Sequence, residues 1–312
     1  MNFEKLEGLI AAPFTPMGEN GELNLSLIPA YYQFLKSNRV TGAFICGSTG
    51  EGVSMTADEK KKVAAKWAEC TDGDNDFKVM ILLGGTSIAD CKELALYARE
   101  IGLYAISFTS PFYFKPANAE VLGQICAEIA NVVPDMPFYY YHIPVLTGGN
   151  YAMIDLLHAV DDKIKNFAGI KYTHEDFMDF QSCMSFKGGK YDMLWGRDEN
   201  MLSALVLGAK GAVGSTFNYA APLYYDLIDA FNANDLVKAR ELQQKSIDMI
   251  RLLGKYGGIS VGKAYMKLIN LNCGEFRLPV KNMNGSQFEL FKKDVETVGF
   301  HTFKSVAVGV NA

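Results

Sequence analysis

Eight short runs of β-branched, aromatic or small apolar residues, each followed by a turn and a helical stretch, limit this chain to few architectures. They are Leu9 to Ala12, Ala43 to Gly47, Val79 to Gly84, Ala105 to Thr109, Phe138 to Tyr141, Ala168 to Lys171, Met193 to Gly196 and Ala212 to Ser215. Their ends fall roughly 19 to 37 residues apart, room each time for one helix and a return to a parallel strand. Between them lie amphipathic stretches such as Leu94, Tyr97, Ala98 and Ile101, which follow a Ser87-x-x-Asp90 start signal, and a capping box at Thr56-x-x-Glu59. Eight such units in about 230 residues predict an α/β protein, a (β/α)8 TIM barrel. A doubly wound sheet would need a glycine-rich fingerprint after the first strand, and Ala11-Ala-Pro-Phe-Thr-Pro16 is nothing of the kind.

After the eighth run the pattern is helical: Pro222 to Asn232 closes the last unit, and Asp235 to Leu253, Ser260 to Asn270 and Ser286 to Val298 follow. The chain therefore divides into a barrel over 1–234 and a C-terminal helical extension over 235–312, too short in apolar reach to stand alone and expected to pack on the barrel. With 49% hydrophobic and 21% charged residues in 312, a substantial core is available. A formal charge of -5 argues against a nucleic-acid partner, and Lys60-Lys-Lys62 reads as a solvated helix face. Six cysteines without CxxC spacing and four histidines without HExxH suggest no disulfide framework, metal site or cofactor. No apolar run approaches ~18 residues and the N-terminus carries acids, so the expectation is a cytoplasmic protein with no membrane contact. Asn24-Leu-Ser26 and Asn284-Gly-Ser286 then match the glycosylation pattern by chance.

A barrel of this kind gathers its chemistry at the C-terminal ends of its strands. Lys171 ends the sixth run. It is either a strand residue emerging into solvent or an amine kept neutral by burial. Ordinarily about one lysine in a thousand is neutral near pH 7.5, whereas a pKa lowered to ~8 frees roughly a quarter for nucleophilic attack. Gly47-Ser-Thr-Gly-Glu51 is neither a dinucleotide fingerprint nor a Walker loop; it is a plain strand-to-helix turn or a cradle in which Ser48 and Thr49 hold a carboxylate. Tyr139 and Tyr141 share a strand face, as aromatic core or, for Tyr141, as a proton shuttle near Lys171. Asp198 and Glu199 are first-turn acids or acceptors for substrate hydroxyls.

In order, spacing and nearly full-length coverage, Gly47-Ser-Thr-Gly-Glu51, Ser110-Pro-Phe-Tyr-Phe114, Tyr141-His-Ile-Pro144, Gly169-Ile-Lys171 and Gly214-Ser-Thr-Phe-Asn218 are decisive. Together they resemble the pyruvate-dependent class I aldolase family that holds N-acetylneuraminate lyase and dihydrodipicolinate synthase. The resemblance implies that Lys171 forms a Schiff base, that Tyr141 is the acid/base, and that Ser48 and Thr49 hold the keto-acid carboxylate. It implies a homotetramer in which Tyr113 reaches a neighbouring subunit's site. Synthases carry an arginine after the Y-N-x-P motif to grip a second carboxylate; Leu146 stands there in this chain. Gly196-x-Asp-Glu199 instead resembles the lyases' polyol-binding segment, so Thr173, Gly196, Asp198, Glu199 and Ser215 would contact the sugar tail. The implied reaction is reversible cleavage of N-acetylneuraminate, a sialic acid, to N-acetylmannosamine and pyruvate. Another pyruvate-dependent aldolase or a non-catalytic sugar-acid-binding regulator are the rival readings. Two residues depart from the family pattern: His142 in place of an asparagine, and Arg197 at a spot usually apolar or aromatic.

Overall fold

The computed structural model describes residues 3–306; residues 1–2 and 307–312, the outer ends of the two expected segments, lie outside the described residues. The strands are β1 (Gly8–Ala11), β2 (Gly42–Ile45), β3 (Lys78–Leu82), β4 (Ala105–Thr109), β5 (Phe138–His142), β6 (Phe167–Tyr172), β7 (Asp192–Trp195) and β8 (Gly211–Gly214). Their boundaries agree with the sequence pattern to within two residues. All neighbours pair in parallel and β8 pairs with β1, closing the (β/α)8 barrel.

Period-two alternation divides the apolar residues into two cores. Ile10, Phe44, Met80, Tyr139, Tyr141, Leu194 and Val213 fill the interior of the barrel. Phe138, Tyr140, Ile170 and Tyr172 face outward into the belt under the helices. That belt is covered by α1 (Ile28–Ser37), α2 (Ala57–Thr71), α3 (Ile88–Glu100), α4 (Ala119–Ala130), α5 (Pro144–Thr147), α6 (Met153–Val160), α7 (Phe177–Ser185), α8 (Met201–Val206) and α9 (Phe217–Asn232).

Helix starts follow the expected caps. The Thr56 hydroxyl accepts from the Glu59 N–H at 3.2 Å while Glu59 accepts from the Thr56 N–H at 2.9 Å, and Ser87 accepts from the Asp90 N–H at 3.3 Å. Two details differ from the sequence reading. The last barrel helix begins five residues before Pro222 and breaks at Ala220 (φ -141°), because proline has no N–H to give and its ring crowds the preceding turn. Only Lys62 of the basic run is fully solvated; the stems of Lys60 and Lys61 lie half-buried across α2, with Lys60 donating to the Leu83 carbonyl and Lys61 to Glu93.

The C-terminal part is α10 (Leu236–Tyr256), α11 (Val261–Leu268) and α12 (Gly285–Thr297). Helix α10 lies along α9, and its Gln243 and Ser246 reach the backbone carbonyl of Asp198 beyond β7. Among the described residues no helix is long and apolar enough to cross a membrane.

Candidate active site

Closure of the barrel sets Tyr141, Lys171 and Leu194 side by side on β5, β6 and β7. The Lys171 side chain turns inward and is 3% exposed. Its Nζ lies 3.9 Å from the centre of the Phe44 ring and 4.1 Å from that of Tyr141. Ring faces attract a desolvated cation by about 2 kcal/mol, too little to offset removal of its water. Desolvation accordingly drives the amine from its ordinary 10.5 down to about 7, with the Asp198 charge pulling weakly the other way. At pH 7.5 roughly three quarters of such an amine is neutral. Of the two readings of Lys171, the structure selects the buried one.

Tyr141 is also buried, and burial pushes its phenol up to about 12. The Ser48 hydroxyl beside it acts in the opposite sense. Thr173 Oγ1 is buried with no hydrogen-bond partner, a donor left available at the end of β6. Space for it comes from Gly196, where a Cβ would lie 1.9 Å from that oxygen. The Asp198 carboxylate is fixed from β8: its Oδ2 accepts from the Thr216 N–H at 2.9 Å and the Thr216 hydroxyl at 2.6 Å. Burial raises it to about 6, and Gly214 gives it room, since a Cβ there would stand 2.1 Å from Oδ1.

The remaining expected residues lie on the segments that follow the strands. Thr49 is buried next to Ser48 in the turn after β2, and Ser215 is half-buried at the end of β8. Glu199 meets Arg197, whose Nη2 is 2.7 Å from Glu199 Oε1 and 2.7 Å from Glu175 Oε1, so one guanidinium ties the loop after β6 to that after β7. Arg197 Nε is buried without a partner. Tyr113 stands apart, 79% exposed on the loop after β4 and packed edge-on against the equally exposed Phe114. His142 faces outward, packed against Tyr172 and His174, and burial lowers it to about 3, a neutral ring. Tyr139 lies deeper in the barrel and donates to Asp192 at 2.9 Å, a core residue with its hydroxyl satisfied.

Three participants escaped the sequence reading. Phe44, one of the rings against the amine, looks like any apolar strand residue. Thr216 was visible as part of Gly214-Ser-Thr216, but its bond to Asp198 needs the fold. The third is the group that fixes Glu51: Lys263 Nζ donates to Glu51 Oε1 at 2.7 Å, from helix α11. A cavity of 690 Å³ also opens between Met17, Asn272, Asn284 and Phe288, larger than many substrate sites, but the neutral amine and orphaned hydroxyl lie at the strand ends instead.

Residues 5–298 match the model of the dihydrodipicolinate synthetase family. The N-acetylneuraminate lyase of Danio rerio is 40% identical over 282 residues, covering 89% of this chain and 91% of that protein. The N-acetylneuraminate lyase of Homo sapiens is 37% identical over 313 residues, covering 98% and 97%. Among solved structures, Proteus mirabilis N-acetylneuraminate lyase superposes with a TM-score of 0.92 at 38% identity, covering 95% of this chain and all of that one.

Proposed function

The chain belongs to the dihydrodipicolinate synthetase family, and within it we propose that it is an N-acetylneuraminate lyase, a class I aldolase cleaving N-acetylneuraminate reversibly to N-acetylmannosamine and pyruvate. The observation that carries the chemistry is the buried Lys171 amine, lowered to about 7 beside the Tyr141 ring. Leu146, exposed where a synthase would grip a second carboxylate with arginine, favours a sugar tail over a dicarboxylate.

Neutral Lys171 adds to the C2 ketone of the open-chain sugar acid, and the carbinolamine hydroxyl leaves as water with the Tyr141 proton, giving an iminium cation beside a phenolate. Ser48 and Thr49 hold the neighbouring carboxylate. Tyr141 takes the proton of the C4 hydroxyl as the C3–C4 bond breaks, and the bonding pair flows toward the iminium nitrogen to give an enamine and free N-acetylmannosamine. A phenol held near 12 is a poor base at rest. The iminium cation formed against its ring is what makes the phenolate accessible at that moment. Tyr141 then returns the proton to C3, and water hydrolyses the iminium to release pyruvate and the amine. Thr173, Asp198, Glu199 and Ser215 contact the hydroxyls of the sugar, with Gly196 leaving them space.

The same reading makes the protein a homotetramer. Tyr113 and Phe114 on the loop after β4 and Val145 and Leu146 on the short helix α5, all exposed apolar residues, form the surface that a second copy covers, with Tyr113 entering the neighbour's site. Six free cysteines among the described residues fit a reducing compartment, and we place the protein in the cytoplasm. Borohydride added with pyruvate is expected to leave one reduced adduct on Lys171 and abolish cleavage. An intact mass unchanged by that treatment refutes the aldolase.

A further inference from the structure

The turn that carries Ser48 and Thr49 is closed on itself. The Glu51 N–H donates to the Ser48 carbonyl at 3.2 Å and the Gly52 N–H to the Gly47 carbonyl at 3.1 Å. A Cβ at Gly52 would lie 1.8 Å from the Cys46 carbonyl oxygen, so the turn tolerates no other residue there. Glu51 itself sits in the left-handed region (φ 59°), an uncommon conformation for a residue with a side chain. A displacement of Glu51 therefore moves Ser48.

Both partners of the Glu51 carboxylate come from the C-terminal part of the chain. Its Oε1 accepts from Lys263 Nζ at 2.7 Å and its Oε2 from the Arg277 N–H at 2.8 Å; both side chains of the ion pair are at most 3% exposed. Lys263 also donates to the Glu275 carbonyl at 3.0 Å, and the Phe276 ring covers its amine at 4.8 Å. Arg277 clamps the far side of the same turn, donating to the Ser54 carbonyl at 3.1 Å, the Gly21 carbonyl at 2.8 Å and Glu59 at 2.9 Å. Helix α11 comes this close because Gly262 lacks a Cβ, which would lie 2.3 Å from the Phe14 ring. A buried ion pair costs several kcal/mol of desolvation per ion and adds little net stability over well-packed apolar residues, so its presence here argues for a geometric task.

We propose that Lys263 and Glu51 form a buried strut through which the C-terminal helices position the Ser48–Thr49 cradle. Recognition of the substrate carboxylate then depends on α11, while the Lys171 amine does not. The role assigned to the strut rests on the aldolase reading above. Lys263 and Glu51 are positioning residues and touch no substrate.

The test compares two ketones in borohydride trapping on the full-length chain, followed by intact mass: pyruvate, which uses the cradle, and acetone, which has no carboxylate. In Glu51→Gln, which is isosteric but cannot serve both donors as a charged acceptor, the half-saturating pyruvate concentration is expected to rise about tenfold while that for acetone stays within about twofold. The double variant Glu51→Gln with Lys263→Met removes both charges. It is expected to melt close to the wild type yet keep the weakened pyruvate preference, because a charge-balancing pair would be restored by the double change and a strut would not. The proposal is overturned if pyruvate and acetone shift together in Glu51→Gln, or if the double variant regains wild-type pyruvate trapping. A wild-type chain that traps neither ketone refutes the aldolase reading itself, and the strut's role with it.

Discussion

Replacing Lys171 by methionine tests the site through stability as well as turnover. The folded chain holds this amine at about 7 against an ordinary 10.5. Between those values the unfolded chain carries a proton that the folded chain lacks, so native stability rises with pH across that window. The penalty of burying the amine is complete below pH 7 and gone above 10.5. From the two pKa values, the wild type is penalised by on the order of 5 kcal/mol at pH 6, roughly 4 at pH 7.5 and about 2 at pH 9. Methionine has similar length and no charge to desolvate. Lys171→Met should therefore abolish cleavage and raise the melting temperature, with the gain shrinking from pH 6 to pH 9. Thermal melts of both proteins at one concentration, across that pH range, measure it. A variant no more stable than the wild type, or a gain flat with pH, would falsify the claim that the amine is desolvated.

Tyr141→Phe is expected to lower kcat by about 10²- to 10⁴-fold while pyruvate still traps on Lys171, more slowly but to completion, since water can give the leaving hydroxyl its proton; loss of trapping would contradict this. Gly196→Ala places a methyl 1.9 Å from Thr173 Oγ1 and 3.0 Å from the Tyr172 carbonyl. It should cost about 1–3 kcal/mol of stability and strip sugar cleavage, and a wild-type KM for N-acetylneuraminate would show that the orphaned hydroxyl has no part in binding. Arg197→Met frees Glu199 and Glu175 from their shared guanidinium, so the KM for N-acetylneuraminate should rise about tenfold with pyruvate trapping unaltered. Equal effects on both would place Arg197 in the fold and not at the sugar end.

The barrel was legible because its signals are local. A β-branched run, a turn and a capped amphipathic stretch, repeated eight times, need no long-range information, and Thr56, Ser87 and Asp235 mark helix starts by bonds that span three residues. Lys171 and Tyr141 were visible as strand ends carrying reactive groups. Their adjacency was not, because register around a closed sheet is set by all eight strands at once. Glu51 and Lys263 are 212 positions apart, and no periodicity links them. Nor does any pattern distinguish the Phe44 ring against the amine from Phe108, which faces the belt. Asn284, whose match to a glycosylation triplet looked accidental, caps α12 by accepting from the Gln287 N–H at 2.9 Å.

Two lysines among the described residues are fully buried, Lys171 and Lys263, and the contrast between them shows what makes an amine reactive here. Burial lowers both. Lys263 has a carboxylate at 2.7 Å and a carbonyl at 3.0 Å, so its proton has two acceptors and its charge a counter-ion. Lys171 has two ring faces, and the acid that acts on it, Asp198, already accepts two hydrogen bonds from Thr216 and is itself raised to about 6. Such an aspartate is still about nine-tenths ionised at pH 7, so it is the two hydrogen bonds from Thr216, and not protonation, that hold its charge away from the amine. Thr216 thereby keeps the carboxylate occupied and oriented toward β8, and the strand-end amine is left with nothing that would lock its proton in place. Burial alone is common to both lysines; the difference is whether the fold supplies a partner, and at Lys171 it withholds one.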